Sequence, residues 1–236
     1  MLLARTIFIV GALTLVPQLA GSAQTAPSMR VVELFTSQGC SDCPPADALL
    51  GEIARFPGVV ALAYHVTYWD ALGWHDRFGL PQADERQEYY AKQLRLSAEF
   101  TPQAVIDGQV SLVGSDRQAI VKALSASRAS IPVMLGLAKG QLLVELAAHE
   151  LPAPVQIILV GYLPQAVTAV GRGENGGREL EEFNVVRAEN VLGVWRGNAS
   201  RFLVPLSSMP PEATRIAVLL QLPAGTIAGA ATLAIR

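Results

Sequence analysis

Cys40 and Cys43 stand three positions apart in Gly39-Cys40-Ser41-Asp42-Cys43-Pro44-Pro45, and the chain has no other cysteine. Such a pair can make and break a disulfide. The thiolate is the reactive species, and an ordinary cysteine with a pKa of about 8.5 carries little of it at neutral pH. Cys40 at a helix N-terminus would have unsatisfied N–H groups and the positive dipole end against its sulfur. Cys43, one turn further on, is more enclosed. Cys40 is therefore expected to attack and Cys43 to resolve the mixed disulfide. Asp42 opposes this. At about 6 Å and an effective dielectric of 20–80 its charge raises a thiolate's energy by roughly 0.7–2.8 kcal/mol. The couple is thus expected to be less oxidising than the strongest disulfide donors, which lie at about −120 mV. The pair has two other uses. It could be half of a zinc site, though two further ligands are then needed and no second Cys pair exists. It could also be an inert disulfide in an exported protein.

Two other stretches carry chemistry-bearing side chains. Residues 64–90 hold Tyr64, Tyr68, Trp69, Trp74, Phe78, Tyr89 and Tyr90, with His65 and His75. The stretch starts at the C-terminal end of an expected strand, where α/β sheets place their sites. One reading is a groove or lid beside Cys40, shaped by Trp69 and Trp74, with His65 near the sulfur as a proton carrier. His65 with both cysteines could also bind a soft metal ion. The plainer reading is a satellite core with hydrogen-bonded histidines. Residues 171–189 are Gly-rich at the start and carry three Arg and five Glu. They read as a solvated loop. The alternative is a polar loop over the Cys40 site, with Arg172 or Arg187 facing a thiolate or a carboxylate.

The elements that must position these residues follow from hydrophobic spacing. Residues 30–36 read as a strand. Ala46, Leu49, Leu50 and Ile53 fall at i, i+3, i+4, i+7, one helix face. Pro44 and Pro45 are tolerated only in a first turn, so that helix begins around the cysteines. Residues 58–66 read as a strand buried on both faces, and 82–97 as a helix. Gln103–Asp107 and Gln109–Val113 flank a Gly108 turn. Ser115-Asp116-Arg117-Gln118 is a capping box before a last helix. This order implies a parallel portion with an antiparallel edge. From residue 131 the pattern becomes a hairpin, then strand-like stretches at 155–161, 166–170, 184–194, 201–206, 214–221 and 226–235, suggesting an antiparallel sandwich or barrel. A boundary near 130–132 is expected; the alternative is one continuous domain with a large β extension.

The chain of 236 residues is 51% hydrophobic and 16% charged, with mean hydropathy +0.34. A net charge of −2 argues against a general nucleic-acid binder. Much of the apolar excess lies at the start. Arg5, an apolar run to Val16, Pro17 and the small residues Gly21-Ser22-Ala23 follow the order of a secretory signal. The run is short for a membrane span, which needs about 20 apolar residues. Cleavage is expected after Ala23, giving a periplasmic or secreted protein with no stable membrane insertion.

Val32-Glu33-Leu34-Phe35-Thr36-Ser37-Gln38-Gly39-Cys40-Ser41-Asp42-Cys43 resembles the opening of glutaredoxins and other thioredoxin-fold proteins. Thr101-Pro102-Gln103-Ala104-Val105-Ile106-Asp107-Gly108, followed by Val113-Gly114-Ser115-Asp116, is similar to their cis-proline strand, turn and last-helix start. The resemblance covers about residues 30–128. It implies that Pro102 is cis beside Cys40, and that the Thr101 backbone pairs with an extended thiol substrate. It also implies no bound cofactor, with glutathione as a candidate co-substrate. The whole chain more closely resembles an exported bacterial family known as domain of unknown function twelve-twenty-three. The features shared are ELFTSQGC-x-x-CPPAD, the His65-Val66-x-Tyr68-Trp69-Asp70-x-Leu72-Gly73-Trp74-x-Asp76 stretch, the TPQ strand and a late Asn184-Val185-Val186-Arg187. That family implies a thioredoxin-like domain with extra β structure and no assigned substrate. The chain departs from thioredoxins at Leu34, where they have a buried aspartate; Glu33 should point to the other strand face. The stretch between Cys43 and Pro102 is also longer.

Together these readings give an α/β chain. A signal spans 1–23. A thioredoxin-like domain spans 30–130, a mixed sheet flanked by helices with an aromatic-rich insert. A sandwich-like antiparallel β domain spans 131–236. The expected activity is exported thiol:disulfide exchange through Cys40 and Cys43, with Thr101 and Pro102 binding substrate. Partners would be a thiol- or disulfide-containing protein or a small thiol, and no nucleic acid. The alternatives are a copper or zinc carrier, and a ligand-binding module with a structural disulfide.

Overall fold

The first strand, β1 (Arg30–Thr36), alternates its buried side chains between two faces, and each face meets a helix. Val32 and Leu34 pack with Ala46, Leu49, Leu50 and Ile53 of α1 (Pro44–Ile53). Val31 and Phe35 pack on the other side with Tyr90 of α2 (Pro81–Gln93). A strand covered on both faces reads as a continuous apolar run, and β2 (Val59–His65) does so for the same reason. The computed structural model describes residues 29–236. The expected signal segment lies outside them.

β1 pairs parallel with β2 and antiparallel with β3 (Gln103–Ile106), which turns back into β4 (Val110–Val113). α3 (Arg117–Ser125) follows; its cap is Asp116, whose Oδ1 accepts from the Ala119 N–H at 3.0 Å, one residue later than Ser115. Then come β5 (Met134–Ala138), β6 (Gln141–Leu146), β7 (Val155–Ala169), β8 (Glu179–Trp195), β9 (Ser200–Pro205), β10 (Arg215–Gln221) and β11 (Ile227–Ala234).

The second half does not stand apart as its own sandwich. β11-β10-β7-β8 continue the sheet of β2-β1-β3-β4 into eight strands, joined where Ala63 pairs with Val185 and Asn184 Nδ2 donates to the Ala61 carbonyl at 2.9 Å. β5, β6 and β9 form a second sheet. Leu142, Val144 and Leu146 of that sheet pack on Val155, Ile157, Leu159, Ile216, Val218 and Leu220. Sheet-on-sheet packing is thus present, but one of its layers is the outer half of the shared sheet. The physical reason is β2: without β8 its edge would carry unpaired N–H and C=O groups. β7 also runs through Pro164, where a break was expected. Proline lacks the ladder donor, and the partner strand answers with Asn184 at φ 50°.

β8 also sets the position of α1. A Cβ at Gly51 would fall 2.5 Å from Phe183 Cδ2, so glycine is what lets the helix lie against β8. Gly51→Ala gains helix propensity of up to about 1 kcal/mol but overpacks by about 1–3 kcal/mol. The expected outcome is a melting temperature lower by a few degrees. An unchanged value would show that Phe183 swings aside at no cost.

Candidate functional site

Cys40 and Cys43 are joined in a disulfide, with Cα atoms 5.4 Å apart. The helix starts later than expected. Cys43, not Cys40, is the N-cap of α1, and Pro44 and Pro45 fill the first two positions. Two of the four N-terminal donors are therefore absent, because proline has no N–H. The next two, Ala46 and Asp47, bond the Cys43 carbonyl. Little of the N–H cradle expected for a Cys40 thiolate is left. Asp42 is exposed, so its charge is largely screened.

Beneath the disulfide lies a buried polar cluster of which only His65 was singled out from the sequence; Asp47 and Asp76 stood there merely within the family motifs, and Glu182 in a charged run. Asp47 is one turn beyond Cys43 on the same helix face, a spacing that puts Cβ atoms about 5–6 Å apart. It is 6% exposed. Burial lifts its carboxyl from 3.8 to about 7, against the pull of His65. The signal was available: Cys43, Asp47, Leu50 and Ala54 repeat at i, i+4, i+7, i+11. His65 ends β2 beside Thr36 of β1, both on the face toward α1. His65 Nδ1 meets Asp76 Oδ2 at 2.7 Å, and His65 is fully buried. Burial opposes its charge, but Asp76 outweighs that and raises it to about 8. Asp76 also accepts the Gln38 and Phe78 backbone N–H groups. Burial tends to raise its carboxyl, yet the His65 charge and these bonds leave it lowered. Glu182 of β8 accepts from Gln38 Nε2 at 2.6 Å and from Thr168 Oγ1 at 2.8 Å, and burial raises its carboxyl. Among the described residues, His65 Nε2 has no hydrogen-bond partner.

The segment between β2 and α2 divides by residue. Tyr64, Phe78 and Tyr90 are core. Trp69 Nε1 donates to Thr101 Oγ1 at 2.8 Å, and Trp74 Nε1 to Gln38 Oε1 at 2.9 Å, so both tryptophans brace the cysteine turn and its neighbour. The Thr101–Pro102 peptide is cis. Pro102 is buried against the first turn of α1: a Cβ on Gly114 would lie 3.0 Å from Pro102 Cβ and 3.2 Å from Ala46 Cβ. Among the described residues, no three His, Cys, Asp or Glu side chains are grouped to hold a metal ion.

The loop between β7 and β8 is not a simple solvated loop. Asn175, fully buried, donates through Nδ2 to the carbonyls of Gln38 at 3.0 Å and Cys40 at 2.8 Å. Glu174 Oε2 accepts the Ser41 N–H at 3.1 Å. The loop does reach the site, but through these two residues. Arg172 is exposed, and Arg187 instead donates to the Phe78 carbonyl. Both cysteines are buried, Cys40 to 1% exposure and Cys43 to 0%.

Residues 31–221 match the family model described as a protein of unknown function, DUF1223. The chain belongs to the DUF1223 family. No curated protein matches it. A crystal structure of protein AGR_C_4864 from Agrobacterium tumefaciens is 30% identical, with TM-score 0.79, over 91% of this DUF1223 chain and 97% of that one. HBP35 of Porphyromonas gingivalis is 14% identical, with TM-score 0.58, over 89% of this chain and 76% of that one; this likeness is one of fold alone. The family match spans the junction at residue 131, in keeping with a shared sheet.

Proposed function

We propose that this DUF1223 protein is an exported thiol:disulfide oxidoreductase of thioredoxin-like type, working through Cys40 and Cys43. The observation that carries the reading is a Cys-x-x-Cys disulfide at the start of α1, with a buried carboxyl one turn away whose pKa is near neutrality. The strand order β2-β1-β3-β4 and the cis Pro102 against the same helix turn support it. So does the signal-like start of the sequence.

The chemistry balances simply. An incoming thiolate bonds to Cys40 Sγ, and the Cys40–Cys43 bond breaks. Cys43 leaves as a thiolate and takes the proton that Asp47 holds near neutrality. A second thiol then displaces Cys40 from the mixed disulfide. In the reverse direction Asp47 accepts the Cys43 proton, and the Cys43 thiolate closes the disulfide. His65, charged and tied to Asp76, keeps Asp47 from rising further.

Burial of both sulfurs favours a second reading, a structural disulfide in a binding module. Trapping separates the two. Cys43→Ala should accumulate mixed disulfides with its partner in the native compartment, and Cys40→Ala should accumulate none. A disulfide that stays closed below about −300 mV would decide for the structural reading.

A further inference from the structure

The tip joining β7 to β8 is a preformed object. Its base closes through the Val170 N–H to the Arg178 carbonyl at 2.9 Å and the Gly177 N–H to the Val170 carbonyl at 2.8 Å. Within it, Arg178 Nη1 donates to Asn175 Oδ1 at 2.8 Å, which fixes the amide that faces the cysteines. Every residue from Gly171 to Glu179 is exposed except Asn175, which is 0% exposed. Trp74 supports the tip from the side: a Cβ on Gly173 would meet Trp74 Cβ at 3.1 Å.

We propose that this tip decides which thiols reach the disulfide, and that the substrate it admits is a cysteine within a peptide. The inference rests on the redox reading above and names its substrate class. The tip occupies three backbone groups of the cysteine turn: the carbonyls of Gln38 and Cys40, and the N–H of Ser41. Cys40 is too enclosed to be attacked while these bonds hold. When the tip lifts, the Gln38 and Cys40 carbonyls lose the buried Asn175 amide and the exposed Ser41 N–H loses Glu174, so two acceptors and one donor at the cysteine turn must find new partners. A peptide carries N–H donors and C=O acceptors beside its thiol and can replace what the tip gave up. A thiol without amides cannot. It enters only through the fraction of molecules already open, and its rate is reduced by that fraction.

The test uses the full oxidised protein and two thiols, 2-mercaptoethanol and a short blocked cysteine peptide. Reduction rates are compared per thiolate, by alkylation and mass measurement. Wild type should be reduced at least tenfold faster by the peptide. Asn175→Asp keeps the shape of the side chain but removes both donors. It should speed reduction by 2-mercaptoethanol tenfold or more and narrow the difference between the two thiols. Glu174→Ala, at an exposed position, should act in the same direction by a few-fold, and it serves if Asn175→Asp fails to fold. Equal rates for both thiols in wild type overturn the proposal. So do rates unchanged in folded variants, and in either case the redox reading stands, since the disulfide is still reduced. If folded wild type and variants all resist both thiols, the redox reading falls, and the substrate assignment with it.

Discussion

Arg86→Met should cost about 3–5 kcal/mol of stability, the range for removing one partner of a buried ion pair. Arg86 lies on α2 and is 6% exposed. Its Nε donates to Glu33 Oε1, and its Nη2 to Tyr90 Oη at 3.0 Å. Nη1 reaches Glu189 and Gln221, each at 3.4 Å, and the guanidinium lies 5.4 Å and 5.1 Å from the rings of Tyr64 and Tyr90. Tyr90 Oη donates to Glu33 Oε2, and Tyr64 Oη to Glu189 Oε2 at 2.6 Å. One cation thus ties α2 to β1, β8 and β10. Burial opposes the charge on Arg86, and Glu33 restores it. With Arg86 gone, Glu33, at 0% exposure, is left as an uncompensated buried carboxylate. Total stability of a domain is about 5–15 kcal/mol, so this loss is a large share. The double variant Glu33→Leu with Arg86→Met should recover much of it, because an apolar pair avoids the desolvation of both ions. Urea unfolding checks both. A single-variant loss under about 1 kcal/mol would show that water reaches Glu33.

Asp47→Asn should flatten the pH dependence of stability. Asp47 has a folded pKa of about 7 against an ordinary 3.8. The folded state therefore binds the proton more tightly. The stability from this group is full below 3.8 and is lost as pH rises through 7. His65, raised from 6.5 to about 8, acts in the same direction: its contribution is full below 6.5 and lost as pH rises through 8. Burial of Glu182 adds to the trend, and Asp76, which is lowered, opposes it only at acid pH. Between pH 4 and pH 7 the Asp47 share is about 4 kcal/mol, from three pKa units. Asparagine keeps the shape of the neutral acid and does not ionise. The variant should match wild type near pH 4 and exceed it near pH 8 by up to that amount. Denaturant midpoints at pH 5 and pH 8 measure this. Equal slopes in the two proteins would sink the account. On the proposed redox reading, the same variant should slow release of Cys43 near neutrality, since Asp47 would no longer supply its proton.

Local pattern was legible wherever one period ruled. β1, β2, the proline-filled first turn of α1, the β3–β4 hairpin and the orientation of Glu33 follow from alternation, proline placement and turn residues, and all are found, although α1 is capped by Cys43 rather than Cys40. α2 stops at Gln93, short of 97. What could not be read was pairing across distance. Nothing in residues 184–186 announces that β8 pairs with β2, Val185 with Ala63 122 positions away, because the join rests on one register pair and an asparagine amide. The buried acids were hidden for a related reason. Asp76 and Glu182 look like solvated charges in their own segments, and only tertiary burial brings them to His65. Asn175 sits in a run of charges and glycines that resembles an ordinary solvent loop. Its role depends on where a hairpin more than 130 residues from Cys40 happens to end.

The continuous sheet also bears on how such a chain can be inherited. A unit cut at residue 131 would keep both cysteines but leave β2 with an open edge and Cys40 without its cover. The second half would keep a hairpin whose tip has nothing to close on. On the proposed reading neither piece would carry the site alone, and changes at the cysteine turn should be matched by changes at residues 174–175.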